Sequence, residues 1–147
     1  MAIRLGMNAK LYYKTGGVAG VGPWIELPNT KDLTLNLETG EADVTTRGNA
    51  GWRATIATLK DGSVEFEMVW DTTDAGFTAI KNAFFGNAAI GLAIMDGLIT
   101  QAGSQGLEAD FTITNFSRKE PLEEAIGVSI TGKPTYSATA PAWVVVP

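Results

Sequence analysis

Apolar residues recur at every second position in stretch after stretch of this chain. Leu33, Leu35 and Leu37 alternate with Thr34, Asn36 and Glu38, and Val64, Phe66, Met68 and Trp70 with Glu65, Glu67 and Val69. Leu107, Ala109, Phe111 and Ile113 alternate with Glu108, Asp110, Thr112 and Thr114, and Ile126, Val128 and Ile130 with Gly127, Ser129 and Thr131. Successive side chains of a strand point to opposite faces, so this period predicts half-buried antiparallel strands. Ile90, Leu92 and Ile94, spaced by Gly91 and Ala93, add a strand; Leu11 and Tyr13 mark an early one, and Trp24 to Leu27 a short one. The expected fold is mainly β.

Asp61-Gly62 lies between ATIATLK and SVEFEMVW. Asp-Gly supplies the positive φ angles of a type I′ turn, which predicts a hairpin pairing Leu59 with Val64 and Ala57 with Phe66. One segment has helical spacing instead. Phe77, Ile80 and Phe84 form a single stripe between Thr72 and Phe85, which predicts a packing helix. Asp71 or Thr72 is placed to cap it, Asp74 suits its positive end, and Gly86 is placed to close it in the left-handed conformation.

The 147 residues suit one domain, 1–147, with no repeat or linker. There is no Cys and no His. That excludes disulfides, zinc sites built on those residues, a Cys nucleophile and any Ser–His–Asp triad. A net charge of −5 argues against a nucleic-acid clamp, because phosphates are held by Lys and Arg. Only 18% of residues are charged against roughly 25% in a typical domain. That balance points to a surface covered by other copies. The start, MAIRLGMNAKLYYK, lacks a secretory h-region, and the longest uncharged apolar stretch, Ala88 to Met95, is short of the ~20 residues of a spanning helix. A soluble protein made in a cytoplasm, without membrane binding, is expected.

Residues 15–22, TGGVAGVG, read as a Gly-rich loop. Residues 38–53, ETGEADVTTRGNAGWR, read as a polar connection long enough to have a binding role. The tail at about 137–147 carries Trp143 and three valines, and is expected to pack on its own domain or on a neighbour.

No catalytic arrangement emerges. Gly127 to Lys133 approximates a P-loop, but Pro134 stands where the magnesium-binding hydroxyl belongs, and the segment alternates like a strand. Glu65 with Glu67, and Glu108 with Asp110, are i, i+2 pairs of the kind that line solvated faces more often than glycosidase sites. Asp71, Asp74 and Asp96 lack calcium-loop spacing. No cofactor or metal is expected. Glu65, Glu67, Glu108, Asp110 and Glu124 instead suggest an acidic face opposite the apolar one.

Three stretches together carry a resemblance: LTLNLETGEADVTTRGNAGWRATIATLKDGSVEFEMVWD, AGFTAIKNAFF, and ADFTITNFSRKEPLEEAIGVSITGKPTYSATAPAW. From about residue 8 to 143 the chain resembles the major tail (tail tube) protein family of long-tailed bacteriophages. The most telling phrases are EADVTTR with GWRAT, and NFSRKEPLEEAI with KPTYSATAP.

The resemblance implies an antiparallel β-sandwich or barrel flanked by one α-helix, similar to the tube protein of type VI secretion. It implies a non-enzymatic virion protein, present in the host cytoplasm before assembly. Hexameric rings would stack into a tail tube around a tape-measure protein, beside other tail proteins, and genomic DNA would pass without specific binding. The 38–53 loop would reach a neighbouring subunit or ring through Arg47, Trp52 and Arg53, with Trp143 of the tail a further contact. An acidic bore would repel DNA, and Glu65, Glu67, Glu108 and Asp110 are expected to face it. Two other readings are a non-catalytic β-sandwich binding module, using Trp and Tyr on a glycan or within another virion or secretion component, and an acid-pair glycosidase.

Overall fold

The computed structural model describes residues 3–147. Among them, eight strands form one antiparallel sheet: β1 (Lys10–Thr15), β2 (Ile25–Glu26), β3 (Thr30–Asp43), β4 (Thr55–Val69), β5 (Ile90–Met95), β6 (Gln105–Lys119), β7 (Gly127–Pro134) and β8 (Ala142–Val145). The spatial order is β2-β1-β5-β6-β7-β4-β3, with β8 added to β6. The sheet curls so that its inner face closes on one core, flanked by the helix α1 (Ala75–Phe85). Leu11, Val64, Phe66, Met68, Leu92, Phe111, Val128 and Ile130 fill that core, as their alternation predicted. Each such side chain contributes roughly 1.5–3 kcal/mol through burial.

Helix α1 buries Phe77 and Ile80 against the sheet, and Phe77 meets the Trp70 ring edge-on at 4.7 Å. Its caps differ from those expected. Asp74, rather than Asp71 or Thr72, is the N-cap, and its carboxylate accepts the Phe77 N–H at 3.1 Å. Gly86 keeps a right-handed conformation, and Asn87, at φ 51°, takes the left-handed position. The Ala88 N–H then reaches the Ala83 carbonyl at 3.0 Å. Asparagine tolerates this geometry, so the termination is of the expected kind but one residue later.

The hairpin expected at Asp61-Gly62 is absent. β4 runs straight through both residues, and Asp61 pairs with Glu38 and Gly62 with Leu37 of β3. A turn there would leave residues 38–43 of β3 without a ladder. Gly62 meets a different need: a Cβ would lie 3.0 Å from Leu37 Cδ2 and 3.3 Å from the Asn36 carbonyl. The glycine allows two strands to approach closely.

The same pairing changes the expected 38–53 loop. Residues 38–43 belong to β3 and residues 55–61 to β4, so only residues 44–54 form the connection. They make a tip with a 3₁₀ turn at Arg47–Asn49 and left-handed backbone at Ala50 and Gly51. The result is a two-stranded arm. β7 leaves β4 at the Val64–Gly132 pair, and every residue from Thr55 to Asp61 is exposed.

β5 is buried on both faces. Its second face, with Tyr12, Ala93 and Met95, is covered by Trp24, Ile99 and Val146. The tail therefore packs on its own domain, with β8 paired to β6 from Gln105↔Val145 to Glu108↔Ala142.

Candidate functional site

Strand register determines what each face of the sheet can present. On β4 the side facing away from the core carries Ser63, Glu65 and Glu67. Across the ladders lie Thr34 and Asn36 of β3, Ser129 and Thr131 of β7, and Asn115 and Ser117 of β6. This face is polar, and it also carries Lys31, Lys119 and Lys133, with Glu38 and Asp61 toward the arm. Glu65 is exposed, whereas Glu67 is half-buried and lies 3.8 Å from the Lys119 ammonium. Such an exposed pair adds little to stability.

Glu108 and Asp110 share that sheet face by register, but other segments cover them. Asp110 is only 6% exposed. Its carboxylate accepts the Val18 N–H at 2.7 Å and the Ser137 hydroxyl, which fastens the Gly-rich loop and the C-terminal segment to β6. A bore-facing role for Asp110 is therefore overturned: both its oxygens are engaged inside the domain. Glu108 is half-buried, and burial raises its pKa although the nearby Lys14 charge pulls it down. Glu124 does not lie on the sheet, because it sits in the connection between β6 and β7.

The expected contact residues fall into two places. Arg47, Trp52 and Arg53 gather at the arm tip around an open depression of about 640 Å³, and Trp52 is 78% exposed. Trp143 lies on β8, where its indole N–H donates to Gln105 Oε1 at 3.1 Å. It borders an apolar groove of about 660 Å³ with Leu37, Leu107, Pro134 and Pro141, at the base of the arm. The remaining indoles are elsewhere. Trp24 lies under the Lys14 ammonium, and Trp70 packs between Phe77 and the Arg118 guanidinium. The four rings form no common platform.

Among the described residues, no group of three His, Cys, Asp or Glu side chains converges as a metal site needs. Instead, large apolar side chains stand exposed along the arm and termini, among them Leu37, Val44, Trp52, Ile56, Leu59 and Trp143. The sequence marked residues 38–53 as a polar segment with a binding role, but not that 38–43 and 55–61 pair as a ribbon, because their composition lacks the alternation that marks the other strands.

The family model described as phage tail tube protein matches residues 11–135. The chain belongs to the phage tail tube protein family. Solved structures agree with this tail tube fold. A chain from the tail of an empty gene transfer agent particle, refined with helical and C6 symmetry, is similar at TM-score 0.73 and 14% identity, covering 99% of this chain and 100% of that one. The SPP1 tail tube is similar at TM-score 0.69 and 18% identity, covering 89% and 75% respectively. A chain of the sixfold-symmetrised baseplate of the anti-feeding prophage is similar at TM-score 0.62 and 6% identity, covering 99% and 98%. At these identities the likeness is one of fold. A comparison with curated protein sequences found no match.

Proposed function

We propose that this tail tube family member is a structural virion subunit whose copies close into hexameric rings. The rings stack into the tail tube around a tape-measure protein, beside other tail proteins, and the tube conducts genomic DNA. The subunit waits in the host cytoplasm until it is assembled into the virion tail.

The observation that carries this reading is the β3–β4 arm. An isolated two-stranded ribbon is at best marginally stable in water. This one extends from the sheet with Ile56 and Leu59 exposed, which suits a surface meant to be covered by another copy. Family membership and the sixfold symmetry of the gene transfer agent tail and the prophage baseplate support the ring. β3 also has one unpaired edge, and closing such edges around a ring removes the templates for uncontrolled association.

The polar face of β3, β4 and β7 suits the bore. Hydroxyls and amides predominate there, Glu65 and Glu67 repel a polyanion carrying one charge per ~1.7 Å of duplex, and of the lysines on this face Lys119 is drawn to Glu67. Negative-stain microscopy of the purified chain tests the proposal, with rings or tubes expected. Featureless particles at every concentration, and in extracts of assembled particles as well, overturn it.

A further inference from the structure

Two exposed turns of this chain are opposite in charge and lie at opposite ends of the sheet. The arm tip, residues 44–54, holds Arg47 and Arg53; Asp43 at its edge lines the same depression, but its carboxylate is engaged by the Thr45 N–H and hydroxyl, which leaves the tip net positive. The connection between β6 and β7, residues 120–126, holds Glu120, Glu123 and Glu124 and no base. Each also carries an exposed apolar side chain, Trp52 at 78% and Leu122 at 100%.

Register separates them. β4 leaves β7 at Val64↔Gly132 and continues toward the arm tip, whereas Val69↔Gly127 and Lys119↔Gly127 close the other end, where residues 120–126 emerge. From Val64 to Thr55 the arm reaches roughly 30 Å at about 3.3 Å per residue. Its tip therefore cannot fold back onto the acidic turn of its own chain. Glu120 pairs with Arg118 at 2.6 Å. Among the described residues, Arg47, Arg53, Glu123 and Glu124 enter no ion pair.

We infer that the arm tip of one copy docks on the 120–126 turn of a copy in the next ring, Arg47 and Arg53 against Glu123 and Glu124 and Trp52 against Leu122. The inference rests on the tube reading above and names the surface that receives the arm. Basic and acidic ends on one subunit make the contact head-to-tail; a heterologous contact whose rotation does not close propagates as an open stack, the arrangement successive rings require. It also gives copies with a net charge of −5 a local attraction strong enough to set their orientation.

Charge reversal tests the pairing. One variant carries Arg47→Glu and Arg53→Glu, and a second carries Glu123→Lys and Glu124→Lys. Each alone is expected to keep the wild-type circular dichroism and form rings, with tube yield at least tenfold lower by microscopy. When preformed rings of the two variants are mixed, stacks that alternate them set every arm against an opposite turn, so tubes are expected to return to within about twofold of wild type. Tubes at normal yield from either variant alone, or no rescue in the mixture, overturn the inference and leave the tube reading standing. A wild-type chain that forms no assembly overturns both.

Discussion

Asp110 Oδ1 accepts the backbone N–H of Val18 at 2.7 Å, across 92 residues of sequence. The same carboxylate takes the Ser137 hydroxyl, and the Asp110 carbonyl accepts the Thr135 N–H at 2.9 Å. One residue of β6 thus fastens the Gly-rich loop and the C-terminal segment to the sheet. Gly17 leaves room for it, since a Cβ there would lie 2.8 Å from Oδ1. Asp110→Ala is expected to cost about 1–3 kcal/mol, the penalty of leaving buried donors unpaired. Urea unfolding measures the loss, and limited proteolysis is expected to cut first within residues 15–22 and 135–141.

Gly106 sits where β6 runs against β5, and a Cβ there would overlap the Ile94 carbonyl. The obstacle is backbone in a central ladder, so it cannot yield by changing rotamer. Gly106→Ala is expected to destabilise by at least the ~1–3 kcal/mol typical of overpacking. A lowered urea midpoint is the readout. Gly127→Ala, whose Cβ would meet nothing nearer than the Met68 carbonyl at 3.8 Å, serves as the tolerant control.

Glu108 has its pKa raised by burial, with Lys14 opposing. The folded chain therefore holds this proton more tightly than the unfolded one, so stability falls as pH rises from 4.5, the ordinary glutamate value, through the elevated folded value. Glu108→Gln removes the titration. Its melting temperature is expected to match wild type below that window and to exceed it above, measured as Tm against pH.

Glu65 and Glu67 lie on the open polar face where β4 is flanked by β3 and β7. Changing both to Lys is expected to leave rings and tubes intact by microscopy, because neither side chain enters the core. Ejection of DNA from particles carrying the variant is expected to slow, since each lysine now attracts phosphate. Unchanged ejection kinetics would remove this face from the bore.

The strands were legible because alternation records which side of each residue is wet. Val64, Phe66, Met68 and Phe111 needed no structure to be placed in the core, and the Phe77–Ile80–Phe84 stripe needed none to make a helix. Asp61-Gly62 was misread because a dipeptide able to turn is also able to continue a strand. What decides between the two is the partner strand, and the Leu37 that pairs with Gly62 lies far upstream of it in β3.

Asp110 was misplaced for a related reason. Its position on the polar face of β6 follows from local spacing, but the segments that bury it come from both ends of the chain. The arm was read as a loop because ETGEAD has no apolar alternation; the pairing of 38–43 with 55–61 makes it a ribbon, and the departure of β7 at Gly132 leaves that ribbon projecting from the sheet.

The sequence by itself determined that this chain builds a β fold and carries no Cys or His chemistry, since side-chain period and residue inventory are local properties. Tertiary structure alone decided which acids reach solvent, and that the basic tip and the acidic turn stand at opposite ends of the sheet. Burial and direction both depend on which distant strand lies alongside, and pairing between remote segments is not written in the period of either one.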